Sequence, residues 1–195
     1  MIMDYTEGTE QYKLERSKKQ MLWFGIISLT MTFAGLTSAY IVSMERRDWL
    51  SDYDFPVALM ISTLLIILSS VTIFLAKRAI LKGEKSTGTL LLVLTLCLGV
   101  AFVISQFLGF QNLIDQGFYF TGETSTITTT FIFLIAALHI VHVAVGLFIL
   151  FRLVLGASKQ KYTPDSYLGL SLGVTYWHFV DILWCLLFIL FYFWK

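Results

Sequence analysis

Residues 55–68 read FPVALMISTLLIIL, a run without a charge in which Ser62 and Thr63 are the only polar side chains. A helix on the surface of a soluble bundle turns a polar face to water about every 3.6 residues, and this stretch has no such face. It continues in the same manner to Ala76, relieved only by small hydroxyls. That length matches the roughly 20 apolar residues a helix needs to cross a hydrocarbon core about 30 Å thick.

Working outward, residues 20–44, 86–114, 124–151 and 166–194 share its character, and the five stretches together hold a single charged residue, Asp181. The expected architecture is therefore an all-α integral membrane protein of five transmembrane helices. The spans are placed at about 20–44, 55–76, 86–114, 124–151 and 166–194. They form one membrane domain over residues 20–195, preceded by a polar tail at residues 1–19. A cleaved signal peptide does not fit the first stretch, which is too long for an h-region and follows that tail.

Composition agrees. The 195 residues are 57% hydrophobic and 14% charged, against about 45–50% and 25% for ordinary soluble domains. A formal net charge of +1 leaves no basic field, so nucleic-acid binding is set aside. Cys97 and Cys185 sit in apolar stretches at no metal-ligand or redox spacing. Linkers, low-complexity tracts and internal repeats are absent from the reading, and the missing inverted repeat argues against a secondary transporter.

Lysine and arginine set the orientation. Lys13, Arg16, Lys18, Lys19, Lys77, Arg78, Lys82, Lys85, Arg152, Lys159 and Lys161 fall on one side of the spans, and Arg46, Arg47 and Lys195 on the other. The positive-inside rule places the N-terminus in the cytoplasm and the C-terminus outside. Trp23, Trp49, Tyr192 and Trp194 near span ends suit an interfacial aromatic belt. Connections this short leave chemistry no place except the bilayer or its edge.

Ionisable groups inside a membrane are functional candidates because isolated charge in hydrocarbon is costly. Here they are His139 and His142 on the fourth span, and His178 and Asp181 on the fifth, each pair at i,i+3 on one helix face. Taking Glu123 and Arg152, then Asp165 and Lys195, as span limits puts all four within about 10 Å of the midplane. Three readings stay open: polar side chains tying helices together, a single haem or metal site, or a proton relay through Asp181. A two-haem cytochrome is ruled out, since it needs four ligands and the chain has three histidines. Gly35-x-x-x-Ala39 and Gly169-x-x-x-Gly173 fit the small-residue spacing of close helix packing. Residues 124–130 read as a hydroxyl-capped first turn, and Thr163-Pro164-Asp165 as a stop before the last helix. No phosphate loop, nucleophile elbow or zinc-protease motif occurs.

The string Tyr176-Trp177-His178-Phe179-Val180-Asp181-Ile182-Leu183-Trp184 resembles the signature of subunit III of the haem-copper cytochrome c oxidases, and its length makes it specific. His139-Ile140-Val141-His142-Val143-Ala144-Val145-Gly146, followed by Phe151-Arg152, is similar to the family's preceding helix. Leu98-Gly99, Phe102 and Gln106, and Phe33-Ala34-Gly35-Leu36 with Ser38-Ala39-Tyr40, are similar to earlier ones. The matches cover four of five spans in order and look like the five-helix bacterial form, which lacks the first two of the seven helices in many relatives.

The resemblance implies an accessory subunit of a terminal oxidase that reduces dioxygen to water. It binds no redox centre, haem and copper belonging to partner subunits. Its partners would be subunit I directly, then subunit II and a small subunit IV, with phospholipid held at its surface and a supporting role in proton uptake. The location would be a bacterial inner membrane. His139, His142, His178 and Asp181, with Gln106, Trp177 and Trp184, are expected to form a buried cluster locking the last two helices, with Gly35, Ala39, Gly146, Gly169 and Gly173 as packing positions. Two departures stand out. Leu29 occupies a position where relatives often carry a carboxylate, and Gly109-Phe110 follows Gln106 where they place glutamate and an aromatic. The rival readings are an accessory subunit of a quinol oxidase or nitric oxide reductase, and a stand-alone histidine-based cytochrome or proton carrier.

Overall fold

A computed structural model describes residues 10–47, 49, 56–122, 125–163 and 166–194. Phe55, Glu123, Thr124, Pro164, Asp165 and Lys195, used above to bound the spans and mark the last stop, lie outside the described residues. Five helices follow in order: α1 (Glu10–Ser43), α2 (Val57–Leu81), α3 (Lys85–Asp115), α4 (Ile127–Ser158) and α5 (Leu168–Phe193). Even α2, with 25 residues, is roughly 37 Å long at 1.5 Å per residue. All five are long and apolar enough to cross a bilayer, so the chain is a multi-pass membrane protein.

The helices outrun the apolar stretches at several ends. α1 begins at Glu10, ten residues ahead of the first stretch, and α4 runs on to Ser158. Hydropathy reads only the oily part of a helix, whereas Glu, Lys and Arg are good helix formers that carry it into water. α4 starts at Ile127 because Thr126 caps it. The Thr126 hydroxyl accepts from the Thr129 backbone N–H, and the Thr129 hydroxyl accepts in return from the Thr126 N–H. Thr129 and Thr130 also donate to the carbonyls of Tyr119 and Phe120, tying the α3–α4 connection to the helix it leads into.

Two helices end on a left-handed glycine. Gly83 (φ +85°) closes α2 with Gly83 N–H bonded to Ile80 O and Glu84 N–H to Ala79 O; Gly117 (φ +88°) closes α3 the same way. α4 uses the same closure with Gln160 at φ +53°, where a side chain is less at ease.

The α2 and α3 hairpin is the closest pair. α3 then packs on α4, α4 on α5, and α5 back on α2, so these four helices close a ring. α1 lies outside that ring against α4 and α5, and among the described residues its backbone meets neither α2 nor α3. The core runs up the ring's axis. Trp177, Trp184, Phe102, Ile66, Ile73, Leu92, Ile135 and Leu150 are all fully enclosed there, while Phe33 and Tyr40 bring α1 onto it.

Candidate functional site: a hydroxyl and aromatic interior

α5 is the hub. Trp177, Asp181 and Trp184 recur at i, i+4 and i+7, so one stripe of α5 faces the interior, and all three are buried. Each indole then needs an acceptor in a place without water. α2 provides them: Trp184 Nε1 donates to Thr63 Oγ1 at 3.0 Å, and Trp177 Nε1 to Ser69 Oγ at 2.9 Å. His178, next to Trp177, meets Ser70 through Nδ1 at 2.6 Å. Nearer the basic end of the spans, Lys77 Nζ donates to Ser171 Oγ at 3.1 Å.

The same face of α2 serves α3. Gln106 Nε2 donates to Ser62 Oγ at 2.7 Å, Ser105 Oγ to the Ala58 carbonyl, and Thr72 and Thr95 share a hydroxyl contact at 2.9 Å. The hydroxyls that broke the opening apolar run are thus the acceptors and donors that hold α2 to both neighbours. The pairs Ser62-Thr63 and Ser69-Ser70 sit seven residues apart, two helical turns, on one side. That seven-residue spacing is the signal in the sequence that marks this face.

Around Trp177 the ring is tightened by glycine. A Cβ on Gly99 would come within 2.8 Å of Trp177 Cη2 and 2.7 Å of Leu147 Cδ2, and one on Gly146 within 3.0 Å of Trp177. Gly173 faces Leu153 as closely, at 2.8 Å. Gly169 has ordinary room beside Tyr162, at 3.7 Å. Gly35 and Ala39 point away from the bundle, and a Cβ on Gly35 would meet nothing within 4 Å.

One layer further along, His139 is enclosed by rings. Trp184 stacks on it at 5.2 Å between centroids with a 30° tilt, and Phe33 and Phe102 stand edge-on at 6.4 and 6.1 Å. Neither ring nitrogen has a hydrogen-bond partner among the described residues. His142 turns toward α1, edge-on to Phe33 at 5.8 Å, with Nδ1 at 2.7 Å from the Leu138 carbonyl of its own helix. α4 and α5 are tied instead by Tyr176, whose hydroxyl donates to the His142 carbonyl at 3.1 Å. Asp181 is 3% exposed, and neither carboxyl oxygen has a hydrogen-bond partner among the described residues.

The structure therefore divides the expected four-residue cluster. His139 and His142 belong to an aromatic layer shared by α1, α3, α4 and α5, whereas His178 and Asp181 face the hydroxyls of α2. Neither a hydrogen bond nor an ion pair joins the two halves among the described residues. The i,i+3 spacing showed which residues share a face, but not which neighbouring helix that face meets. Among the described residues no three His, Cys, Asp or Glu side chains gather into a metal-binding group.

Known proteins resemble this chain over most of its length. The family model described as cytochrome c oxidase subunit III matches residues 50–195. Cytochrome c oxidase subunit 3 of Corynebacterium diphtheriae is 32% identical over 174 residues, covering 84% of this chain and 81% of its own. The subunit 3 of Loxodonta africana is 28% identical over 205 residues, 96% of this chain and 75% of the relative. Quinol oxidase subunit 3 of Bacillus spizizenii is 27% identical over 183 residues, 91% and 88% of the respective chains.

Proposed function

Because the chain belongs to the cytochrome c oxidase subunit III family, we propose that it is the accessory, non-redox subunit of a proton-pumping terminal oxidase that passes electrons from cytochrome c to dioxygen. As a subunit III it works in a complex with other oxidase subunits. The reading gives it subunit I as direct neighbour, with subunit II and a small subunit IV beyond. Haem and copper in those partners carry the redox chemistry. This chain stabilises subunit I, holds phospholipid at its surface and supports proton uptake.

The observation that carries the reading is what fills the interior. Most enclosed polar groups among the described residues are spent on helix packing or shut in by aromatic rings: indoles on hydroxyls, Gln106 Nε2 on Ser62, His139 among Phe33, Phe102 and Trp184, with the Asp181 carboxyl the exception. A protein built this way presents a rigid, shaped surface to a neighbour. The buried polar residues His139, Asp181, Gln106, Trp177 and Trp184 define that shape, with Gly146 and Gly173 at the close approaches. In the membrane, residues 20–195 act as one domain with residues 1–19 as a cytoplasmic tail, the N-terminus inside and the C-terminus outside. The membrane is the bacterial inner one, in keeping with the five-helix form.

A second reading has its own support. The quinol oxidase relative aligns over 91% of this chain, so the electron donor could be a quinol, recognised by the partner subunits.

Solubilisation of native membranes in mild detergent, affinity capture of this chain and identification of what accompanies it tests both. A haem-bearing chain with oxygen-reducing activity is expected. Cytochrome c or quinol dependence of that activity then chooses the donor. Capture of this chain alone, carrying its own Soret absorbance, would overturn the reading.

A further inference from the structure

Asp181 lies at the middle of α5 (Leu168–Phe193), buried, and neither carboxyl oxygen has a hydrogen-bond partner among the described residues. No ion pair reaches it there either. An isolated charge held in hydrocarbon is so costly that a carboxyl in that position takes up a proton instead. The uncharged acid is the form this site permits. What sets the site apart is a line of polar groups that joins it to one end of the bundle.

The line follows one face of α5. Ser171, Thr175, His178 and Asp181 recur at spacings of four, three and three, the first three half-buried and the last enclosed. α2 completes it. Lys77 Nζ donates to Ser171 Oγ at 3.1 Å near the basic end of the spans, and Ser70 Oγ meets His178 Nδ1 at 2.6 Å, one turn before Asp181. Between them Thr175 donates to the Ser171 carbonyl. From Ser171 to Asp181 is about 15 Å along the helix, half of a hydrocarbon core. Successive side chains on such a face stand about 5–6 Å apart, a gap that one water bridges. Hydroxyls accept and donate, and imidazole takes a proton on one ring nitrogen while releasing one from the other.

The opposite direction is closed. Trp184 Nε1 donates to Thr63, whose own hydroxyl donates to the Leu59 carbonyl. An indole has no acceptor and cannot hand a proton on. Beyond it the buried face of α5 is Leu187, Leu190 and Phe191.

Neither of the other histidines has such a line. His139 is shut in by rings, and from His142 toward the basic end the buried face of α4 continues as Gly146, Leu150 and Leu153. The remaining ionisable groups on the packed helices stand apart. Arg78 of α2 lies over Phe74, Arg152 of α4 over Phe148, and Tyr40 of α1 donates to the Trp194 carbonyl. On α5 itself, Cys185 is one turn further along.

We propose that Asp181 is a proton-binding site at mid-bilayer depth, filled and emptied from the basic end of the spans by way of His178 and closed toward the other face. A site open on one side holds a proton without letting it cross the membrane. It gives the support of proton uptake a place in this chain, and rests on the subunit reading only for what the stored proton serves.

The test takes the full chain in mild detergent, with whatever subunits accompany it, and reads the infrared carbonyl stretch of a protonated carboxyl. The difference between parent and Asp181→Asn at neutral pH cancels the carboxyls of other chains and is expected to show that band. A difference without it overturns the proposal. In heavy water the band shifts as the proton exchanges. His178→Phe and Ser70→Ala are each expected to slow that shift about tenfold, equivalent to about 1.4 kcal/mol on the barrier. His142→Phe, which removes a half-buried histidine outside the line, should leave it at the parent rate. Exchange at the parent rate in either folded line variant, or an equal slowing by His142→Phe, overturns the route. The band belongs to this chain with or without a haem-bearing partner, so failure of the subunit reading shows separately, in what copurifies.

Discussion

The Trp177 indole occupies the space that a side chain on Gly146 would need: a Cβ there would stand 3.0 Å from both Cε3 and Cζ3 of the ring. With Gly99 making the same concession from α3, three helices converge on one aromatic residue, and α2 fixes its orientation through Ser69. Gly146→Ala and Gly99→Ala are each expected to destabilise the purified chain by about 1–3 kcal/mol, the cost of overpacking a close contact. Gly35→Ala, with open space around it, should leave the thermal midpoint unchanged. Equal losses at all three positions would contradict this packing.

The indole-to-hydroxyl bonds make a separate, additive contribution. Double-mutant cycles combining Trp184→Phe with Thr63→Val, and Trp177→Phe with Ser69→Ala, should each return a coupling of about 0.6 kcal/mol, with roughly 1.7 as the ceiling seen in membrane proteins. Reversible unfolding in mixed micelles is the assay. A coupling of zero at both pairs would mean that the contacts do not hold α2 to α5.

His139 makes no hydrogen bond within the described chain and sits among Phe33, Phe102 and Trp184. Exchange of a buried, unpaired polar group for an apolar one of similar size is close to neutral. His139→Leu should therefore fold, assemble and leave the haem absorbance of the captured complex unaltered. A vanished Soret band would instead make His139 a haem ligand.

At the end of α4, Gln160 holds a left-handed backbone that costs a side-chain-bearing residue about 1–2 kcal/mol. Gln160→Gly should raise the thermal midpoint, since the exposed bond from Lys85 that it sacrifices at 3.2 Å is worth less than the strain removed. An unchanged or lower midpoint would show the turn to be unstrained.

Tyr40 is fully buried beneath Trp49, Phe131 and Phe191, and its hydroxyl donates to the Trp194 carbonyl at 2.9 Å. Tyr40→Phe is expected to cost about 1 kcal/mol and to speed carboxypeptidase trimming of the last residues. Trimming at the parent rate would count against the clasp.

Five helices and their order were legible because they rest on a property each segment carries by itself: 55–68 is oily all round whatever lies beside it. The interior was less legible because it depends on pairings. Nothing in the spacing of His178 and Asp181 reveals that they turn to α2 and not to α4. Gly173 fits a small-residue spacing as Gly35 does, but only Gly173 faces a neighbour closely. Gly99 and Gly146 stand out in the sequence only through the family resemblance. The hydroxyls of α2 looked incidental in a hydrophobic run, and their role emerges only once two tryptophans from α5 need acceptors.

The seat of α1 outside the ring has a consequence for synthesis. Among the described residues its backbone packs only on the helices α4 and α5, which leave the ribosome after α2 and α3 have been made. At about 5–20 residues per second, the earliest helix waits on the order of ten seconds, alone in lipid, for the surface that receives it. Of the five described helices, the first to be made thus waits for the last.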